Sequence, residues 1–93
     1  MIRSFADKET ERIWSGLRSR KLPPGIQQVA RRKLRAINRA TTAAEMAVPR
    51  GNRLEMLKGD RKETYSVRIN DQWRITFRWS RGDAHDVRIE DYH

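Results

Sequence analysis

The sequence predicts an α+β domain in which two N-terminal helices pack on a mostly antiparallel β-sheet. Apolar residues recur at helical spacing in the first forty positions, whereas from about residue 65 they alternate with polar residues, as in half-buried strands. The chain has 93 residues, a length that suits one hydrophobic core. We therefore expect residues 1–93 to form a single domain.

The first forty residues contain two helical patterns separated by "PPG". After a possible short strand at "IRSF", Asp7 is a suitable N-cap for a helix that should end between residues 19 and 22. Its apolar positions are Ile13, Trp14 and Leu17. The second helix should begin at Pro24 or Gly25. Its apolar stripe is formed by Ile26, Val29, Ala30, Leu34 and Ile37.

Four arginines lie on the opposite side of the predicted second helix: Arg31, Arg32, Arg35 and Arg39. Such a cluster is usually a solvated helix face, but it can also bind an RNA backbone without reading its sequence.

The second half of the chain predicts a β-meander. The segment "TTAAEMAV" is either a short helical turn or a loop, and "PRGN" then breaks the chain. Two strands, "TYSVRI" and "WRITFRW", are joined at Asn70-Asp71, and "SRGD" leads into a further strand, "AHDVRIEDYH". The helices should cover the apolar face of this sheet.

The charge of the chain favours a polyanionic partner. Lys and Arg number 21 against 12 Asp and Glu, which gives a formal net charge of +9. A field of this sign attracts nucleic acid first and an anionic membrane surface second. Because arginine supplies most of the charge, and its planar fork suits phosphate, RNA and DNA are the leading partners.

Several other classes are disfavoured. The chain has no cysteine, so it has no disulfide framework and no thiolate metal site. Its two histidines, His85 and His93, do not have the spacing of metal ligands, and we expect neither a metal nor another cofactor. The N-terminus has no continuous apolar run, so neither a signal peptide nor a membrane span is expected. A cytoplasmic protein is the simplest inference.

Strand alternation places Arg68, Arg74 and Arg78 on the sheet face turned away from the helices. Three guanidinium groups on one face would bind phosphate, although alternating charges commonly do no more than solvate the outer side of a sheet. In "GNRLEMLKGDR", Glu55 can accept a proton and Lys58 can stabilise phosphate charge, or both can be ordinary surface charges.

The final residues Asp91, Tyr92 and His93 combine a carboxylate, a phenol and an imidazole. Metal-free RNA cleavage needs a base for the 2′-hydroxyl, cations for the phosphorane and an acid for the leaving 5′ oxygen. Strict alternation would send Asp91 and His93 to one face and Tyr92 to the other, so a twist or bulge would be needed to gather them.

Three stretches together resemble the HigB toxins, including the GraT-like members, of the RelE superfamily: "NRLEMLKGDR", "YSVRINDQWRITFRW" and the closing "EDYH". The resemblance spans the whole chain and is most specific in N-D-Q-W-R-I and the terminal D-Y-H. It implies the RelE-like microbial RNase fold and a toxin of a type II toxin–antitoxin system.

The resemblance further implies a metal-independent endoribonuclease that cuts mRNA in the 30S decoding site of the ribosome, contacting rRNA, and that inhibits translation. By residue, Lys58 and Arg74 would stabilise phosphate charge while Asp91, Tyr92 and His93 complete the site. Some relatives carry a histidine at the position of Glu55; here either Glu55 takes the proton, or His93 does and Glu55 orients its neighbours. The implied partner is a HigA-type helix-turn-helix antitoxin. The alternative from charge alone is a non-catalytic RNA-binding or ribosome-associated module.

Overall fold

A computed structural model describes residues 1–57, 59 and 63–91 of the protein. In these ranges the chain forms the α-helices α1 (Lys8–Trp14) and α2 (Pro24–Arg39), followed by two short 3₁₀ helices at Ala43–Ala47 and Arg50–Asn52. Four strands follow: β1 (Glu55–Met56), β2 (Thr64–Arg68), β3 (Trp73–Ser80) and β4 (Asp83–Asp91). The strands are ordered β1-β2-β3-β4 and each neighbouring pair is antiparallel. The predicted α+β architecture is therefore confirmed.

Helix α1 is shorter than predicted because Gly16 ends it. Asp7 caps the helix as expected, with its side chain accepting a hydrogen bond from the Thr10 amide at 2.8 Å. Gly16 then adopts a positive φ of 84°, and the amide of Leu17 donates to the carbonyl of Arg12 at 2.8 Å, which closes the helix end. Leu17, predicted to lie on the helix, follows it and is 50% exposed.

Helix α2 starts at Pro24, and its apolar stripe forms much of the core. This core is continuous with residues of three strands and includes the fully buried Ile13, Ala30, Leu34, Ile37, Val67, Ile75, Phe77 and Val87. Packing of a helix stripe on the apolar side of a sheet is the arrangement that both periodicities predict.

The expected first strand is only a pair of single bridges. Ile2 pairs with Ala84 and Phe5 with Val87, both parallel to β4. Because this segment makes isolated bridges to β4, it lies beside that edge without extending the sheet by a regular strand.

The turns set the register of the meander. The Asn70 side chain accepts hydrogen bonds from the amides of Gln72 and Trp73, both at 2.8 Å. At the second turn, Arg81 and Gly82 have positive φ values of 53° and 80°, as a two-residue hairpin of the mirror-image type requires. The pairing of β3 and β4 shifts between Thr76 and Arg78.

The register divides the sheet into a covered face, packed against the helices, and an outer face. Polar and charged residues of all four strands lie on the outer face: Glu55, Thr64, Ser66, Arg68, Arg74, Thr76, Arg78, His85, Arg88 and Glu90. In the ranges described, no helix is both long enough and apolar enough to span a bilayer.

Candidate active site on the outer face of the sheet

Arg74, the second residue of β3, lies on the outer face and reaches across β2. Its Nη1 donates a hydrogen bond to Ser66 Oγ at 2.8 Å. The same nitrogen lies 3.4 Å from Oε2 of Glu55 on the edge strand β1. Only 11% of the Arg74 side chain is exposed, whereas 52% of the Glu55 side chain is. The structure thus brings Glu55 and Arg74, two predicted site residues, into one ion pair.

Two further residues complete the centre of this face. Thr76 lies opposite Ser66 in the sheet, and its hydroxyl donates to a carboxylate oxygen of Glu90. Glu90 in turn is the register partner of Arg74. Sequence reasoning did not select Ser66, Thr76 or Glu90. The signal was present, because these residues occupy the same alternating positions as the arginines that it did select.

Arg68 and Arg78 flank Arg74 on the outer face, where alternation places them. Arg68 is the register partner of Arg74 and forms an ion pair with Asp71. Arg78 lies at the other end of the face, with its Nε 3.4 Å from Oδ2 of Asp86. The carboxylates of Asp71 and Asp86 are well exposed, so water screens these ion pairs and each contributes little to fixing its arginine.

Asp91 and Arg74 lie on different faces of the sheet. Its register partner is Trp73, which packs against the core, so Asp91 belongs by alternation to the covered face at the sheet's end. It accepts a hydrogen bond from Gln72 Nε2 at 3.1 Å. The observed register shift lies between Thr76 and Arg78, too far along the strand to turn Asp91 toward Arg74. Lys58, Tyr92 and His93 lie outside the described residues.

The arginines of α2 do not form one uniform solvated face. Arg31 is half-buried, and its Nε donates to the carbonyl of Ile13 at 2.9 Å, which joins α2 to α1. Arg32, Arg35 and Arg39 are exposed. Arg31 therefore forms part of the contact between α1 and α2, because the short α1 leaves carbonyls at its end that need donors.

The outer face can stabilise negative charge. A guanidinium that is largely shielded from water acts on a bound phosphate more strongly than one in full solvent, and its hydrogen bond to Ser66 fixes its direction. Glu55 places a proton acceptor beside it. Within the described ranges, no group of three or more potential metal ligands is found.

Comparison with known proteins agrees with this arrangement. A family profile described as the RelE-like toxin of the type II toxin–antitoxin system HigB matches residues 3–93. "Toxin HigB-1" of Vibrio cholerae is 33% identical over 91 residues, which cover 97% of this chain and 96% of that protein. "Endoribonuclease HigB" of Proteus vulgaris is 34% identical over 97 residues, and the match covers 100% of both chains.

An "Uncharacterized protein" of Haemophilus influenzae is also similar, with 26% identity over 70 residues, which cover 75% of this chain and 69% of that protein. The family match covers nearly the whole chain and includes all four strands of the outer face. The chain therefore belongs to the HigB-like toxins, the RelE-like toxins of type II toxin–antitoxin systems.

Proposed function

We propose that this toxin is a metal-independent endoribonuclease that cleaves mRNA in the decoding site of the ribosome and so inhibits translation. The observation that carries the proposal is Arg74, whose side chain is only 11% exposed and whose guanidinium is anchored to Ser66 on a basic sheet face. The similarity to a full-length relative named Endoribonuclease HigB supports the reaction class.

In this proposal the 2′-hydroxyl of a nucleotide attacks the adjacent phosphorus. Arg74 and Lys58 stabilise the charge that develops on the phosphorane oxygens, which is the service that a metal ion supplies in other nucleases. Either Glu55 takes the 2′-hydroxyl proton, or His93 does and Glu55 orients its neighbours. Asp91, Tyr92 and His93 would complete the site where β4 ends, and the register there turns Asp91 itself to the covered face.

Contacts with ribosomal RNA and mRNA outside the cleaved phosphate supply further binding energy in this proposal. The net charge of +9 attracts rRNA and mRNA, and six arginines are the proposed backbone contacts: Arg31, Arg32, Arg35, Arg39, Arg68 and Arg78. Arg31 would contribute least, because its Nε already donates to the carbonyl of Ile13. Such contacts bind phosphate without reading bases, so the ribosome would present the scissile mRNA to Arg74.

The second proposed partner is a HigA-type helix-turn-helix antitoxin. A type II system pairs its toxin with a protein antitoxin. The excess of basic residues on the toxin makes an acidic patch on that protein the complementary surface.

Primer extension on a defined mRNA in programmed ribosomes tests the proposed reaction. The protein should create new 5′ ends in the decoding site, and Arg74→Ala should lower their rate of formation by about 100- to 1,000-fold, the usual cost of losing a transition-state donor. Arg74→Lys should recover part of the rate. Arg20→Ala, which removes an equal charge from the exposed loop between α1 and α2, should change little.

The non-catalytic alternative predicts a different result. A basic binding module would bind ribosomes but would create no new 5′ ends with the unaltered protein. Removing residues 92 and 93 sharpens the distinction: ribosome binding should survive, and cleavage should disappear only if the protein is an enzyme. Absence of new ends from the unaltered protein would overturn the proposed function.

A further inference from the structure

The Nη1 atom of Arg74 contacts partners of two kinds. Ser66 is fully buried and holds Nη1 of Arg74 at 2.8 Å. Glu55 belongs to a two-residue edge strand, is about half exposed, and approaches the same nitrogen only to 3.4 Å. One partner is therefore fixed by the core of the sheet, whereas the other is held loosely and can move into water at little cost.

A carboxylate and a phosphate make the same demand on a guanidinium, because both present anionic oxygens to its N–H groups. The position of Glu55 Oε2 against Nη1 is thus a position that a phosphate oxygen can take. An incoming phosphate cannot replace Ser66 as readily, because the serine is fully buried and sits on the inner strand β2.

We propose that Glu55 holds the place of the RNA phosphate on Arg74 in the free toxin, and that phosphate binding releases its carboxylate to act as the general base. This inference rests on the proposed function and adds to it an exchange of partners at one nitrogen. The bound phosphate and the displaced carboxylate remain neighbours, because Glu55 stays anchored in β1 opposite Ser66.

The exchange couples substrate binding to proton acceptance. A carboxylate oxygen of Glu55 takes the proton of the 2′-hydroxyl, and the 2′ oxygen forms a bond to phosphorus. The bond from phosphorus to the 5′ oxygen breaks, and this oxygen takes up a proton from water. The hydroxide that remains takes the proton from the Glu55 carboxyl, which restores the carboxylate. The products are a 2′,3′-cyclic phosphate and a 5′-hydroxyl end. Before RNA binds, the ion pair with Arg74 keeps the carboxylate occupied.

Opposite effects of Glu55→Gln on binding and on cleavage test the exchange. Binding is measured with a short 2′-O-methyl RNA, which resists cleavage because its 2′ oxygen carries no proton. Removal of the competing anion should tighten this binding by about 2- to 5-fold, as expected for an exposed ion pair. Removal of the base should slow single-turnover cleavage on programmed ribosomes by about 100-fold or more.

Glu11→Gln is the matched control, since it removes the same charge from an exposed position on α1. It should tighten RNA binding less than Glu55→Gln does and should leave cleavage unchanged. If both variants tighten RNA binding equally, the effect is one of net charge and the exchange is overturned. Unchanged cleavage by the Glu55→Gln protein would also overturn it. If the unaltered toxin cleaves nothing, the proposed function fails. The binding measurements with 2′-O-methyl RNA still decide whether Glu55 competes with phosphate for Arg74.

Discussion

Two cations on opposite sides of the sheet show how differently this small domain treats charge. Lys33 of α2 donates from Nζ to Asn52 Oδ1 and to the carbonyl of Arg68, both at 2.7 Å. Both partners are neutral, and Asn52 is only 3% exposed. On the outer face, Nη1 of Arg74 contacts the neutral, buried Ser66 and the exposed, anionic Glu55.

The difference between these partners distinguishes a structural contact, at Lys33, from a candidate binding site, at Arg74. Lys33 joins α2 to the end of β2, and burial, followed by the charges of Arg32 and Arg68, lowers the pKa of its ammonium group. A cation in such a place costs free energy and is kept by fixed acceptors. Arg74 instead contacts an exposed carboxylate, Glu55, which an anionic ligand can displace. Variants on the covered side should therefore change stability, and variants on the outer face should change activity.

The largest effect should come from the covered face at Phe77, which is fully buried. Phe77→Ala should lower the free energy of unfolding by about 3–5 kcal/mol, measured by urea unfolding. Its neighbour Arg78 projects from the outer face and is 43% exposed, so Arg78→Ala should change stability by less than about 0.5 kcal/mol. Equal losses from these adjacent residues would contradict the division of the sheet into two faces.

Loss of the lysine contact should cost less than the core substitution. Lys33→Met keeps the length of the side chain but leaves Asn52 Oδ1 and the Arg68 carbonyl without this donor. We expect the free energy of unfolding to fall by about 1–3 kcal/mol. The exposed Lys21→Met is the control and should have little effect. A Lys33→Met protein of unchanged stability but reduced cleavage would place Lys33 in the site instead.

Periodicity predicted the faces of the sheet but not the contacts made across them. The alternation in β3 correctly placed Arg74 and Arg78 on one face of the sheet and Ile75 and Phe77 on the other, because a strand has a fixed two-residue repeat. The ion pair of Arg74 and Glu55 joins β3 to β1 across the intervening strand β2. The alternation within one strand cannot predict a contact between strands that are not neighbours.

The error in α1 has an equally local cause. The apolar spacing carried the predicted α1 through Leu17, whereas Gly16, at a φ of 84°, ends the helix before it. Asp91 was grouped with Arg74 by chemistry, and its site role stays a prediction. Its register with Trp73 places it on the covered face. Counting residues along the strand gives the face of Asp91 only if the position of any bulge is known.

Ser66→Ala should affect activity more than stability. It removes the fixed acceptor of Arg74 Nη1, and Ser66 does not itself meet the RNA in this proposal, so it is a positioning residue. We expect cleavage on programmed ribosomes to fall by about 10-fold and the free energy of unfolding by only about 1 kcal/mol.

Ser66→Thr, which keeps a hydroxyl, should restore part of the rate, and Ser15→Ala at the exposed end of α1 should leave it unchanged. A loss of rate that simply follows the loss of folded protein in both Ser66 variants would reduce Ser66 to a structural residue.

The smallest effect should come from Glu45, which lies in the first 3₁₀ helix and not in the sheet. Its carboxylate accepts hydrogen bonds from Thr41 and Thr42, and these lower its pKa below the ordinary 4.5. A lowered pKa in the folded state contributes stability that is present above 4.5 and is lost as the pH falls through the folded-state value. Glu45→Gln should therefore lower Tm near neutral pH by about 2 °C or less, and the two proteins should converge in acid. A Tm difference that persists in acid would show that the cap of this 3₁₀ helix depends on side-chain shape and not on charge. Cleavage should be the same for both proteins, because this carboxylate accepts its hydrogen bonds from Thr41 and Thr42 at that cap.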